Sequence, residues 1–329
     1  MKRVGADGTL PRYSEDELRR ATGDWRNKLG EGGFGAVYKG MLLVRGGGDG
    51  GNGEEEEEEE EEVGEGKAKL ETVEVGGKEF VPVAVKMCLT GDDADGREQL
   101  LTEIMVMTAL RHPNILRLLG VVMMGETIAM VSEFVPAGDV SQRLTRASKG
   151  IEPFPWKDRL RIAVGSLEGL AAIHKEGFIH RDFKAANVLL TKTLVPKVAD
   201  FGLAKACQDK THVTTRVAGS FGYIDPEYFE RGFLSSHCDT YAFGAFLLEL
   251  ITGSCAQSEA SLESRRLLRD PGFTDYAKLF DKNLEGQWTK EQAKVVASIV
   301  QGSLQTDWAS RPTTEELLEI WRENPVLAV

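Results

Sequence analysis

His180-Arg181-Asp182-Phe183-Lys184-Ala185-Ala186-Asn187, followed thirteen residues on by Asp200-Phe201-Gly202, is the stretch that decides the reading. Two short loops gather a candidate base, a cationic side chain and two hard oxygen donors. Phosphoryl transfer from a nucleoside triphosphate needs that set, because it is catalysed mainly by positioning and charge neutralisation. Asp182 can accept the proton of an attacking hydroxyl, and Lys184 can face the γ-phosphate. Asn187 and Asp200 offer oxygen ligands suited to Mg²⁺. Asp-Phe-Gly alone is also an ordinary turn sequence. In this order and at this spacing the two motifs support one another.

Upstream, Leu29-Gly30-Glu31-Gly32-Gly33-Phe34-Gly35-Ala36-Val37 reads G-x-G-x-x-G-x-V. Dinucleotide-binding folds use the same glycine spacing, but there the turn opens a helix. Here Ala36-Val37-Tyr38-Lys39-Gly40 is strand-like, so the expected structure is a glycine-rich hairpin whose backbone approaches phosphates without an intervening Cβ. Val83-Ala84-Val85-Lys86 reads as a following strand, and Arg97 to Leu110 as a helix carrying Glu103. Taken singly, Lys86 and Glu103 read as solvated surface residues. The ordered series reverses that. H-R-D-x-K-x-x-N with D-F-G, the glycine loop and the V-A-x-K strand resembles the eukaryotic protein kinases. The resemblance implies that Lys86 binds the α- and β-phosphates and that Glu103 holds Lys86 in place.

The chain has 329 residues, 41% hydrophobic and 28% charged, enough for one large or two ordinary globular units. Its net charge of −12 is unevenly spread. Residues 46–77 carry thirteen acids against Lys67 and Lys69, a local balance of −11 that leaves −1 elsewhere. The acidity therefore belongs to one insert. Like-charge repulsion and few apolar anchors predict disorder through much of 46–77, an insertion in the turn between the second and third strands. Four cysteines, Cys88, Cys207, Cys238 and Cys255, show no zinc spacing and suggest a reduced intracellular protein. No basic stripe points to nucleic acid, and no apolar run is long enough to insert in a membrane. Residues 1–30 lack a signal-peptide core, and Met1-Lys2 lacks the glycine that myristoylation needs.

Residues 1–13 read as a loose tail, and Ser14 to Glu17 as a capping box opening a helix over Glu15–Thr22. Val121–Glu133 suggests two strands around Gly125. Helical spacing follows over Trp156–Lys175, stopped by Gly177, over the almost wholly apolar Ser236–Thr252, closed by Gly253, and over 289–304 and 313–322. The fold class expected is α+β and bilobal: a small strand-rich N-lobe with one main helix, and a larger helical C-lobe, with the site between them. The boundaries expected are a flanking segment at 1–22, an N-lobe at 23–134 and a C-lobe at 135–325.

Several stretches narrow the resemblance. Tyr13-Ser14-x-x-Glu17-Leu18-x-x-Ala21-Thr22, Gly219-Ser220-Phe221-Gly222-Tyr223-Ile224-Asp225-Pro226-Glu227-Tyr228, and Gln305-Thr306-Asp307 to Arg311-Pro312-Thr313 are similar to plant receptor-like kinases, within the receptor-like and Pelle-type (interleukin-1-receptor-associated) group. Without an ectodomain or membrane span, the nearest description is a receptor-like cytoplasmic kinase. That likeness implies an ATP-dependent Ser/Thr protein kinase using Mg²⁺, with Mn²⁺ as a substitute. It implies a protein substrate, an upstream membrane receptor kinase as partner, and a cytoplasmic location, peripheral at the plasma membrane through a partner.

It also implies residue roles. Nucleotide contacts come from Leu29, Gly30, Gly32, Gly35, Val37, Ala84, Lys86, Ser132, Glu133, Val135, Leu189, Asn187 and Asp200, the last two through the metal. Ser132 stands where the family commonly has tyrosine, so a roomier adenine pocket is expected, tolerant of bulky N6-substituted ATP in a kinase assay. Ser220 should bond Asp182 and Lys184, Asp239 should anchor the catalytic-loop backbone, and Glu227 should pair with Arg311. Arg181 before Asp182 suggests activation by phosphorylation, with Thr211, Thr214 and Thr215 as candidate sites. The rival readings are a pseudokinase scaffold, which would lack some of these residues, and a small-molecule kinase, against which Asp225-Pro226-Glu227 and Arg311 argue.

Overall fold

The computed structural model describes residues 10–32, 35–43, 70, 72–88, 94–124, 127–207, 213–214, 217–270 and 272–328. The chain divides into two compact units at Phe134/Val135.

The described residues of the first unit form an antiparallel sheet with two helices. Ser14 accepts the Glu17 amide while the Glu17 carboxylate takes the Ser14 amide, and this capping box starts helix α1, Glu15–Ala21. Strands β1 (Lys28–Gly32) and β2 (Gly35–Leu43) form the glycine hairpin. Strands β3 (Val73–Val75) and β4 (Lys78–Cys88) follow, then helix α2 (Ala94–Ala109), β5 (Leu118–Met124) and β6 (Thr127–Glu133). The sheet order is β1-β2-β4-β6-β5, with β3 paired to the outer part of β4. Period-two alternation gives each strand two faces. Val81, Val83 and Val85 of β4 and Val131 of β6 bury with Tyr13 and Leu18 in one apolar cluster.

Two expectations fail here. Residues 73–77, expected within the disordered insert, form a strand and turn: β3 pairs with Lys78–Phe80 across Gly76-Gly77, both glycines having positive φ. Alternating Val73-Glu74-Val75 before a two-glycine turn is a hairpin signal that the charge of the insert conceals. The rest of the glutamate run lies outside the described residues. Nor is the chain before Ser14 loose throughout. The Val121 amide donates to Pro11 O and the Tyr13 amide to Val121 O, both at 3.0 Å, which extends the sheet past β5. Tyr13 is 5% exposed against Gly120, where a Cβ would sit 2.4 Å from its ring.

The second unit is helical with short hairpins. Its helices are α3 (Val140–Ser148), α4 (Trp156–Lys175), α5 (Pro226–Arg231), α6 (Ser236–Thr252), α7 (Glu259–Arg269), α8 (Lys290–Ser303) and α9 (Thr314–Glu323). Among the described residues, six short strands lie between α4 and α6: β7 (Phe178–Ile179), β8 (Val188–Leu190), β9 (Pro196–Val198), β10 (Lys205–Ala206), β11 (Val213–Thr214) and β12 (Phe233–Leu234). β7 pairs β10, β8 pairs β9, and β11 pairs β12. Helix α6 is buried almost all round and ends at Gly253, whose φ of 68° supplies the left-handed cap. Buried Arg159 of α4 ties the unit together, donating to Phe154 O, Leu250 O and the Asp281 carboxylate at 2.8–2.9 Å.

Candidate active site

The first unit presents a charged pair from regular elements. Central strand β4 pairs on both sides, setting Lys86 opposite Val37 and Met130, and Ala84 opposite Lys39 and Ser132. By strand alternation these residues share one face, opposite the Tyr13–Leu18 cluster. Glu103 of α2 is 2% exposed, and Lys86 Nζ meets its carboxylate at 2.6 Å. Ser132 is 3% exposed, its hydroxyl 3.5 Å from Ala84 O. The Glu133 carboxylate takes the Arg117 amide at 2.9 Å. Leu29 and Gly30 lie exposed on β1, and Gly32 pairs with Gly35 at the hairpin's end. Gly35 has a further reason to be glycine. At its φ of 119° a Cβ would fall 1.9 Å from Met87 O, so contact between β2 and β4 forbids a side chain before any phosphate does.

The second unit builds its constellation on loops. The 180–187 segment is pinned from below by aromatic side chains: Phe183 and Phe201 are fully buried, with Phe183 against Phe246 at 5.2 Å and His180 against Phe201 at 5.1 Å. His180 Nε2 lies 3.1 Å from Ala199 O, joining the two loops. Asp239, 1% exposed on α6, accepts the His180 amide at 2.7 Å and the Arg181 amide at 2.9 Å. Burial pushes its carboxyl up, but the 2.8 Å hydrogen bond with His174 Nε2, with the nearby imidazoles and amide, more than offsets that and holds it below the usual range. Arg181 and Asp200 both take left-handed backbone, with φ of 68° and 66°, a conformation that non-glycine residues hold only where surrounding contacts impose it.

These supports position a compact network. Ser220 Oγ donates to Asp182 Oδ1 at 2.7 Å and accepts from Lys184 Nζ at 2.6 Å. Lys184 Nζ also reaches Asp182 Oδ2 at 2.7 Å. Asn187 Nδ2 donates to Asp182 O at 2.8 Å and to Asp182 Oδ2 at 3.2 Å. Spending the amide nitrogen on Asp182 leaves the Asn187 carbonyl oxygen as its acceptor. That oxygen and the half-buried Asp200 carboxylate are each hard donors of the kind Mg²⁺ takes alongside phosphate oxygens and water, so these two residues could hold the ion. Among the described residues no group of three or more His, Cys, Asp or Glu side chains could hold a metal by itself. Leu189 is half-buried on β8, bridged to Asp139, and Val135 is half-buried at the start of the unit.

Around this network the pairing differs from expectation at one point. Arg311, 3% exposed, bonds Asp225 at 2.6 Å rather than Glu227. Asp225 caps α5 and is itself buried, its Oδ1 accepting from both the Glu227 amide and Arg311, while Glu227 pairs with Arg231 and accepts the Trp308 amide. Arg181 Nη2 donates to the Tyr228 hydroxyl at 2.8 Å and Nη1 to Leu203 O at 3.1 Å. Of the three candidate phosphorylation sites, Thr211 and Thr215 lie outside the described residues. Thr214 sits on β11 with its side chain undescribed. Sequence reasoning gave no role to Tyr228 as the partner of Arg181, to His174 as the partner of Asp239, or to Tyr223, whose hydroxyl donates to buried Glu249. The position of Tyr223 and Tyr228 inside the quoted Gly219 to Tyr228 stretch was the available signal.

A carboxylate, a lysine and an asparagine so arranged define a phosphotransferase loop. Residues 24–320 match the family model described as protein tyrosine and serine/threonine kinase. The chain belongs to that family, as a protein serine/threonine kinase. It is 35% identical to the probable serine/threonine-protein kinase PBL18 of Arabidopsis thaliana over 94% of this chain and 76% of that one. It is 36% identical to the probable serine/threonine-protein kinase PBL3 of the same plant, over 94% and 69%. A relative in Nicotiana benthamiana, 36% identical over 96% and 64%, is named an EPD1-interacting receptor-like cytoplasmic serine/threonine-protein kinase. Family membership implies ATP, a divalent metal and protein substrates. Among the described residues no helix is long and apolar enough to cross a membrane.

Proposed function

We propose that Asp182 is the base of a Ser/Thr protein kinase that also phosphorylates itself. Its carboxylate orients the acceptor hydroxyl and takes its proton as the oxygen attacks the γ-phosphorus; the bond to the bridging oxygen breaks and ADP leaves. Lys184 neutralises charge on the transferred group. Lys86, fixed by Glu103, engages the α- and β-phosphates. Leu29, Val37, Ala84, Ser132, Glu133, Val135 and Leu189 contact the nucleoside, and Gly30, Gly32 and Gly35 keep the hairpin backbone near the phosphates. Asn187 and Asp200 hold Mg²⁺, with Mn²⁺ as substitute. A bound divalent ion supplies charge neutralisation across the phosphate oxygens.

The observation that carries this reading is the Asp182 carboxylate itself, held from three sides by Ser220, Lys184 and Asn187 within 2.7–3.2 Å. Asp182→Asn should abolish incorporation of radiolabelled phosphate from ATP into the chain while leaving its thermal unfolding unchanged. Undiminished autophosphorylation by Asp182→Asn would overturn the assignment and favour a scaffold reading. The relative's EPD1-interacting name suggests receptor-coupled signalling here too, from a cytoplasmic position held at the plasma membrane through a partner. We place activation at Thr211, Thr214 or Thr215. The triple alanine variant should lose most activity towards a protein substrate, and full activity in that variant would sink the idea.

A further inference from the structure

The second unit contains a cavity of about 220 Å³ bounded by α6, α7, α8 and the segment after α8. It is smaller than the roughly 300–1,000 Å³ of pockets that enclose drug-sized ligands. Its polar walls are Tyr241, Arg265, Arg269, Gln301, Gln305 and Thr306, and none of its eight lining residues is acidic.

The two arginines are under-used. Of the five N–H donors of a guanidinium, Arg265 spends one on Gly222 O at 2.7 Å and turns another to the Tyr241 hydroxyl at 3.4 Å. Its Nε is buried with no hydrogen-bond partner. Arg269, exposed at the end of α7, makes no hydrogen bond or ion pair among the described residues. Its neighbour Arg266, by contrast, pairs with Glu263 and does not line the cavity. The two glutamines spend their amide donors on Leu268 O and Gln301 O, fixing the wall rather than neutralising it. Arg265 feels the buried Glu249 carboxylate behind the wall, but no acid lines the cavity itself, so an anion there would meet spare guanidinium donors and no repelling carboxylate on the wall. Planar guanidinium forks match phosphate oxygens two at a time.

We propose that this cavity is a docking site for a phosphomonoester carried on a protein. Two arginines on an acid-free wall suit a doubly charged group better than a single carboxylate. The volume admits a phosphorylated side chain and excludes a nucleotide. A protein carrier is favoured by the neighbouring loop: Arg265 holds Gly222 O, and the preceding Phe221 is 77% exposed, an apolar surface that a polypeptide would cover and a free ion would not. The site is separate from the phosphotransfer network and does not depend on the proposed role of Asp182.

Side-chain NMR of the arginines in the full, dephosphorylated chain tests this with inorganic phosphate, a Gly-phosphoSer-Gly peptide and the same peptide unphosphorylated. Inorganic phosphate and the phosphopeptide should give saturable shifts at Arg265 and Arg269, and the unphosphorylated peptide none. Arg269→Glu should weaken binding at least about tenfold, as expected for losing a charge-assisted contact. Arg266→Glu should leave it unchanged. The proposal is overturned if phosphate gives no saturable shift, if the phosphopeptide fails where phosphate binds, if the unphosphorylated peptide binds equally, or if Arg269→Glu binds as well as wild type.

Discussion

The two units fix their reactive side chains by opposite means. In the first, Lys86 is held by a ladder: β4 is hydrogen-bonded on both sides, so its register with Val37 and Met130 sets where the ammonium points, and Glu103 comes from a helix packed beside it. In the second, Asp182 sits on irregular backbone with a left-handed residue just before it. Its place is set by a few buried polar contacts, above all those of Asp239. Ladder positioning is distributed over many weak bonds and is insensitive to what is spliced into a distant turn. Loop positioning is concentrated, so one side chain can undo it.

The largest expected effect tests the concentrated side. Asp239→Ala leaves the His180 and Arg181 amides and His174 without their buried acceptor, and should cost about 3–5 kcal/mol in urea unfolding. A loss below about 1 kcal/mol would show that the loop is held elsewhere. A second test concerns pH. Burial pushes the Glu249 carboxyl up from 4.5 to about 7 despite hydrogen bonds from Tyr223 and Ala256. A folded-state value above the unfolded one gives stability that is complete below pH 4.5 and lost as pH rises through about 7. Stability should therefore fall on the order of 3 kcal/mol across that window. Glu249→Gln should flatten that part of the profile, and an unchanged profile would locate the titration in another group. The smallest effect belongs to the ladder. Replacing residues 46–69 with a short Gly-Ser link should alter unfolding free energy by under about 1 kcal/mol, since loop closure depends only logarithmically on length. A larger change would mean that β3 or β4 takes its register from the insert.

Legibility in the sequence followed the same division. Helices α4 and α6 were readable to the residue, because Gly177 and Gly253 stop them in left-handed backbone that other residues resist. Lys86 and Glu103 were readable as a strand and a helix residue, but their pairing came from the family resemblance, since taken singly each reads as a solvated surface residue. The contacts of the second site were less so. Ser220, Asp239 and Arg311 came from a family resemblance, and for Arg311 the resemblance named the wrong acid, Glu227 for Asp225. Two carboxylates two residues apart cannot be ranked without knowing which one the α5 cap turns inward. Helix α7 gives little signal, since its core-facing residues include Ser261 and Ser264 beside Leu268. The β3 hairpin was masked by the acidic composition around it.

The packing of Tyr13 and Leu18 bears on where this enzyme can be cut. The family match begins at residue 24, yet both side chains are embedded with Val81, Val83 and Val85. Trimming a recombinant fragment to the match would strip an apolar patch from the sheet and invite aggregation. For expression purposes the autonomous folding piece has to start upstream of Pro11, however the homology boundary is drawn.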